Sequence, residues 1–151
     1  MRCFVCRKGV LKRGRAKVEA TVRGEQYVVE TPALVCSKCG HAAMEGEDAP
    51  EYMRRGADAY RKAHGLLTSS EIRERRRALK MSQRQFAAYL NVGEASLKRW
   101  ELGQIQDAAM NELIALKTDR AAAQRSLTAL SLRLRASVAP DIEMRSRSTI
   151  G

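Results

Sequence analysis

The apolar positions of the chain change period near residue 67. From Thr68 onward they recur three or four residues apart, the spacing that places side chains on one helical face. Ser69 or Ser70 is positioned to cap a first helix running to about Leu79, with Ile72, Leu79 and the stems of its arginines as the apolar contribution. Ser82 followed by Gln85 reads as a capping box that opens a second helix, whose buried side is Phe86, Ala87 and Leu90. Asn91-Val92-Gly93 is a short turn. A third helix spans 94–101 with Leu97 and Trp100 on one face, and Gly103 is its stop. A fourth, 108–116, carries Met110, Leu113, Ile114 and Leu116. Leu127, Leu130 and Leu134 mark a fifth helical region over 118–136. Residues 137–151, with Pro140 and several serines, read as a flexible tail.

Before residue 67 the signal is different and weaker. Val18 to Val22 alternates loosely, Gln26 to Thr31 is rich in β-branched and aromatic residues, and Arg23-Gly24-Glu25 between them is a plausible hairpin turn. Residues 46–67 contain Gly46, Pro50, Gly56 and Gly65, and read as a short helix and linker with Tyr52, Met53 and Tyr60 near one face. The expected class is α+β: a β-hairpin module over 1–45, then an all-α module over 68–117 with a helical extension.

The cysteines give the hairpin module its purpose. Cys3-x-x-Cys6 and Cys36-x-x-Cys39 are two knuckles, each able to turn two thiolates toward one ion, and together they fill a tetrahedron. Gly9 and Gly40 follow the pairs, where tight turns need residues that tolerate positive φ. The reading is a zinc ribbon holding one structural Zn2+ per chain. A redox pair would need only one C-x-x-C at the start of a helix, and two disulfides suit an oxidising compartment. Iron also accepts four thiolates, and spacing alone does not separate it from zinc. Four protein ligands leave no open position for a reacting water, which argues against metal catalysis. His41 beside the second knuckle and His64 in the basic segment read as surface residues.

Charge then suggests a partner. The chain carries 28 Lys and Arg against 17 Asp and Glu, a formal +11, spread over the whole length with no single basic tail. Such a balance favours a polyanion. Short helices joined by a tight turn in a basic chain describe a helix-turn-helix. Helix 82–90 would cross the DNA backbone and helix 94–101 would enter the major groove. Arg99 is the best candidate for bidentate reading of guanine, Lys98 for a base or phosphate, and Ser96 for either. Ala95 would offer only apolar contact, as to a thymine methyl. Ser82, Gln83 and Arg84 open the first of these helices, where side chains and amides meet phosphate, and Asn91 lies in the turn. Arg73, Arg75, Arg76, Arg77 and Lys80 either approach the DNA backbone or face water. No Asp/Glu/His set has the spacing of an open metal site, so an enzyme is not expected. No stretch approaches the roughly 18–20 apolar residues that span a bilayer, and the start lacks a secretory core. The expected location is the bacterial cytosol and nucleoid.

The two C-x-x-C pairs flanking Arg23-Gly24, with the run from Met81-Ser82-Gln83 to Trp100-Glu101-Leu102-Gly103, resemble the MqsA-type antitoxins, which join a YgiT-type zinc ribbon to an Xre/Cro-type helix-turn-helix. The resemblance covers roughly residues 1–117. It implies Cys3, Cys6, Cys36 and Cys39 as zinc ligands and Arg99 as the recognition-helix arginine. It also implies a homodimer that represses its own operon at a palindromic double-stranded operator, and a zinc domain that binds a cognate toxin. Ala95 stands where the best-known member reads a base with Asn, so a different operator is implied. Residues 118–151 extend beyond the family's usual end. The competing expectation is a zinc-containing regulator of a phage or mobile-element operon with no toxin partner.

Overall fold

The computed structural model describes the backbone of residues 1–147 and the side chains through Ser137. Two twelve-residue strands, β1 (Leu11–Val22) and β2 (Glu25–Cys36), pair antiparallel from Leu11 opposite Cys36 to Val22 opposite Glu25. Arg23 (φ 52°) and Gly24 (φ 85°) form the two-residue turn. Two successive positive-φ residues match the twist of the flanking strands. A two-residue strand, β3 (Ala42–Ala43), adds to the far edge of β2 beside the cysteines. The hairpin is longer than the sequence suggested. Past Leu11, the more buried positions of β1 are Ala16, Val18, Ala20 and Val22, too small at their start to register as an apolar stripe.

That smallness has a cause. Helix α1 (Ala49–Ala63), preceded by a 3-10 turn at Gly46–Asp48, packs on both long strands. A Cβ at Gly56 would lie 3.1 Å from the Ala20 Cβ and 3.3 Å from Val22 Cγ2, so helix and sheet meet at small residues. The segment read as a short helix and linker is therefore mostly one four-turn helix forming a layer over the sheet. Val29, Thr31 and Ala33 of β2 are buried beneath it, while Val28, on the opposite face, is 68% exposed.

Helices α2 (Ser69–Ala78), α3 (Gln83–Leu90) and α4 (Glu94–Leu102) follow, and α2 and α3 both pack on α4. Their core is Ile72, Phe86, Ala87, Leu90, Leu97 and Trp100. Thr68, rather than Ser69 or Ser70, caps α2: its hydroxyl accepts from the Glu71 amide while the Glu71 carboxylate accepts from the Thr68 amide. The Ser69 amide and hydroxyl instead donate to the Asp58 carboxylate. The Ser82/Gln85 box at α3 forms as the sequence indicates. Asn91 closes α3 in the left-handed region (φ 58°), and Gly103 (φ 126°) ends α4.

Residues 1–108 form one unit and a second begins at Ala109. The second contains most of α5 (Ala108–Thr118), followed by α6 (Arg120–Arg147), whose first turn is capped by the Asp119 carboxylate accepting from the Ala121 and Ala122 amides. Helix α6 continues into the segment expected as a tail, and the last four residues of that expectation, 148–151, lie outside the described residues. Among the described residues no helix is long and apolar enough to cross a membrane. The α+β class, a four-cysteine hairpin followed by six helices, matches the expectation.

Candidate metal centre and nucleic-acid interface

The hairpin brings the two knuckles together because Cys36 ends β2 and Cys3 lies beside the start of β1. The Leu11 amide donates to Met1 O (2.8 Å) and the Cys3 amide to Gly9 O (2.9 Å). The first knuckle closes with the Arg7 amide donating to Cys3 O (2.9 Å), and the second with the Gly40 amide donating to Cys36 O (3.1 Å). In each, the residue after the second cysteine takes positive φ: Arg7 at 56° and Gly40 at 71°. Gly9 is needed for a different reason than the one expected. A Cβ there would stand 2.4 Å from Cys36 Sγ and 3.1 Å from the Lys38 nitrogen.

All four Sγ atoms lie within 4.8 Å of one another, with Cys3 and Cys39 3.8 Å apart and Cys6 and Cys36 3.6 Å apart. A tetrahedral ion at a metal–sulfur distance of about 2.3 Å needs sulfurs about 3.8 Å from each other. All four thiols are free, and these separations are far longer than a disulfide bond of about 2.05 Å. The Cys39 and Lys38 amides point at Cys36 Sγ, from 3.5 and 3.4 Å, and bring the Cys36 thiol down to about 6. Cys36 therefore favours the thiolate, the form that binds metal. Cys3 and Cys36 are buried with Leu11, and Leu34 packs against them. Donor chemistry, separation and oriented amides all fit one metal ion. His41 is no member of this group: its ring packs edge-on against Phe4, with centroids 4.9 Å apart.

The other candidate residues lie on α3 and α4. Along α4, Leu97 and Trp100 face the core, and Ala95, Lys98 and Arg99 are exposed, with Ser96 half-buried. Lys98 Nζ lies 2.8 Å from Glu94 Oε1, a pair one helical turn apart and half open to water. Such a pair contributes little to stability. The hydrogen bond from Lys98 holds the Glu94 carboxyl below its ordinary range. At the start of α3, Arg84 is exposed, and the Ser82 hydroxyl accepts from the Gln85 amide (3.1 Å). Asn91 is exposed in the turn. Gln83 points inward: its amide donates to Glu101 Oε2 (2.8 Å).

Glu101 is a residue that sequence reasoning missed. It is 1% exposed and accepts from Arg76 at 2.6 and 3.1 Å, while Arg73 donates to its backbone carbonyl (2.8 Å). Burial alone would raise its carboxyl, but the hydrogen bonds from Arg76 and Gln83 and the two arginine charges outweigh burial and hold it low. Two arginines of α2 thus bond to the end of α4. Arg61 of α1 is likewise buried. A charged pair such as Asp58 and Arg61 at i,i+3 normally reads as surface. The available signal was that Ala57 and Arg61 share the face that begins at Gly56.

The fold and site define a class: a four-cysteine ribbon joined to a helix-turn-helix. The chain belongs to the MqsA antitoxin family, the antitoxin component of a bacterial toxin-antitoxin system, whose model matches residues 1–120. A comparison with curated proteins found no match.

Proposed function

We propose that this chain is a sequence-specific double-stranded DNA-binding repressor that acts as a type II antitoxin. Its helix-turn-helix binds, as a homodimer, the palindromic operator of its own operon. Its ribbon, closed by one structural Zn2+ on Cys3, Cys6, Cys36 and Cys39, binds the cognate toxin. The observation that carries this reading is the outward face of α4. It offers a short apolar contact at Ala95 and long cationic side chains at Lys98 and Arg99, on a helix whose other side is fixed by Leu97, Trp100 and Glu101.

The division of labour follows from chemistry. Arg99 presents a planar fork that suits the O6 and N7 acceptors of guanine. Lys98, once released from Glu94, meets a base or phosphate. Arg84, the Ser82 hydroxyl and Asn91 contact the phosphate backbone and set register without reading sequence. Gln83 reaches DNA only by leaving Glu101, so it contributes least. Four thiolates saturate the metal and leave it no catalytic position, so the ion supplies structure to a hairpin too small to be secure alone. The protein works in the bacterial cytosol, at the nucleoid.

Fluorescence anisotropy with duplexes tiled across the native operon tests the DNA reading. One tile should bind far more tightly than a scrambled duplex at the same salt. Co-expression with the adjacent reading frame tests the toxin reading, and an adjacent product that never co-purifies contradicts it.

A further inference from the structure

Helix α1 is fastened on two sides. Toward the hairpin, Tyr52 OH donates to Glu19 O (2.9 Å), and Gly56 admits the close approach of Ala20 and Val22. At the hairpin tip, Tyr60 stacks on His64 (centroids 4.1 Å apart), meets Tyr27 edge-on (6.3 Å) and lies under the Arg23 guanidinium (5.2 Å). The ring of His64 in turn sits 2.9 Å from Glu25 Oε1.

Toward the helix-turn-helix the fastening centres on one buried side chain. Arg61 has no exposed surface, and four of its hydrogen bonds are spread over three segments. It donates to Asp58 Oδ1 (2.8 Å), to Gln106 Oε1 (2.9 Å), and to the backbone carbonyls of Trp100 (3.1 Å) and Gln104 (2.6 Å). The Asp58 carboxylate also accepts from the Ser69 amide (2.8 Å) and hydroxyl (2.7 Å), and Gln106 donates to Leu67 O (2.8 Å). A buried guanidinium is stable only while its partners stay in place. The Trp100 and Gln104 carbonyls lie at the C-terminal end of α4, where the helix dipole favours a cation. Gly103 adds a backbone contact, since a Cβ there would meet the Arg54 Cα at 3.1 Å.

We infer that Arg61 is a positioning residue that locks the metal ribbon and the recognition helix into one rigid body. The chain of contact runs from the thiolate cluster through the hairpin and α1 to the end of α4. A partner seated on the ribbon then has a fixed orientation toward DNA, and loosening the ribbon disturbs α4. This consequence rests on the proposed DNA reading; the rigid lock itself does not.

The test uses the full metal-loaded chain and needs no DNA for its first readout. Backbone 15N relaxation should give the same rotational correlation time for amides of the ribbon and of α3 and α4. In Arg61→Met the two sets should separate, while emission from Trp100, the one tryptophan, stays that of a buried indole and shows the helical core intact. A parent with two correlation times, or a folded Arg61→Met with one, overturns the inference. Should Arg61→Met expose Trp100, Gln106→Met removes the acceptor on the helix-turn-helix side instead, with the same split expected and a single correlation time again overturning the lock. The second readout is operator affinity before and after chelation of the metal. The parent should weaken about tenfold, within the usual range of site coupling, and the uncoupled variant should change much less. An equal response of both proteins sinks the coupling. A parent that binds no operon duplex at all contradicts the DNA reading, and relaxation still decides the lock.

Discussion

Replacing Gly9 with alanine tests the metal centre without touching a ligand. The new Cβ would stand 2.4 Å from Cys36 Sγ and 3.0 Å from the Lys38 Cβ. Comfortable separations between such atoms are about 3.5–4.0 Å, so the sulfur would have to retreat by more than about 1 Å. It cannot do so alone, because the amides of Lys38 and Cys39 and the other three sulfurs hold it. Overpacking of this kind costs about 1–3 kcal/mol. The metal-free ribbon can relieve the clash by opening, whereas the loaded ribbon cannot, so the cost falls on metal affinity. At 1.4 kcal/mol per tenfold, the expected loss is roughly 5- to 150-fold. Competition against a chromophoric zinc chelator measures it on the full chain. Gly14→Ala is the control: its Cβ would meet only Val35 Cγ2, at an ordinary 3.6 Å, and alanine removes some backbone entropy from the unfolded strand. Equal zinc affinity of Gly9→Ala and the parent would refute the packing argument at Cys36.

Other perturbations separate the modules. Arg99→Ala should weaken operator binding by about 1–3 kcal/mol and relax preference at one base pair, read by anisotropy over single-base operator variants. Cys3→Ser should abolish stoichiometric zinc and melt the hairpin, seen as loss of β-strand amide protection in hydrogen exchange. Glu101→Ala leaves Arg76 without its carboxylate in a nearly closed site and should cost about 3 kcal/mol in a urea titration. The same carboxyl sets a pH dependence. Its folded value lies below the ordinary 4.5, so its contribution is complete above the unfolded value and is lost as pH falls through the folded one. Acid melts of the parent should therefore lose stability over that window, and Glu101→Gln should flatten the loss.

The sequence disclosed what depends on spacing. The two C-x-x-C pairs, the Arg23-Gly24 turn and the Ser82/Gln85 box each encode a local geometry, and each appears in the fold. The exposed side of α4 was legible because Leu97 and Trp100 define the opposite side. What stayed hidden were contacts set by packing between distant segments. Gly9 reads as a turn glycine and is in fact clearance for a sulfur donated 27 residues later. Arg61 and Glu101 drew no notice in the sequence and Arg76 read as a DNA-backbone or water-facing arginine, because burial of a charge is decided by partners 25 to 45 residues away. Residues 46–67 read as only a short helix and linker, in part because Gly56 and Gly65 lower helix propensity. The sheet repays the first by packing against it, and the second, at φ 66°, simply follows the end of α1.

The outward face of α4 is proposed to read an operator. The most direct measurement is the affinity of the metal-loaded chain for the tightest-binding duplex of its own operon against a scrambled duplex, at one fixed salt concentration, with Arg99→Ala beside it. A preference of at least about 10³-fold for the operator is expected, as specific DNA-binding proteins show, with a reduced preference in the variant. Equal binding of both duplexes by the parent would contradict that reading.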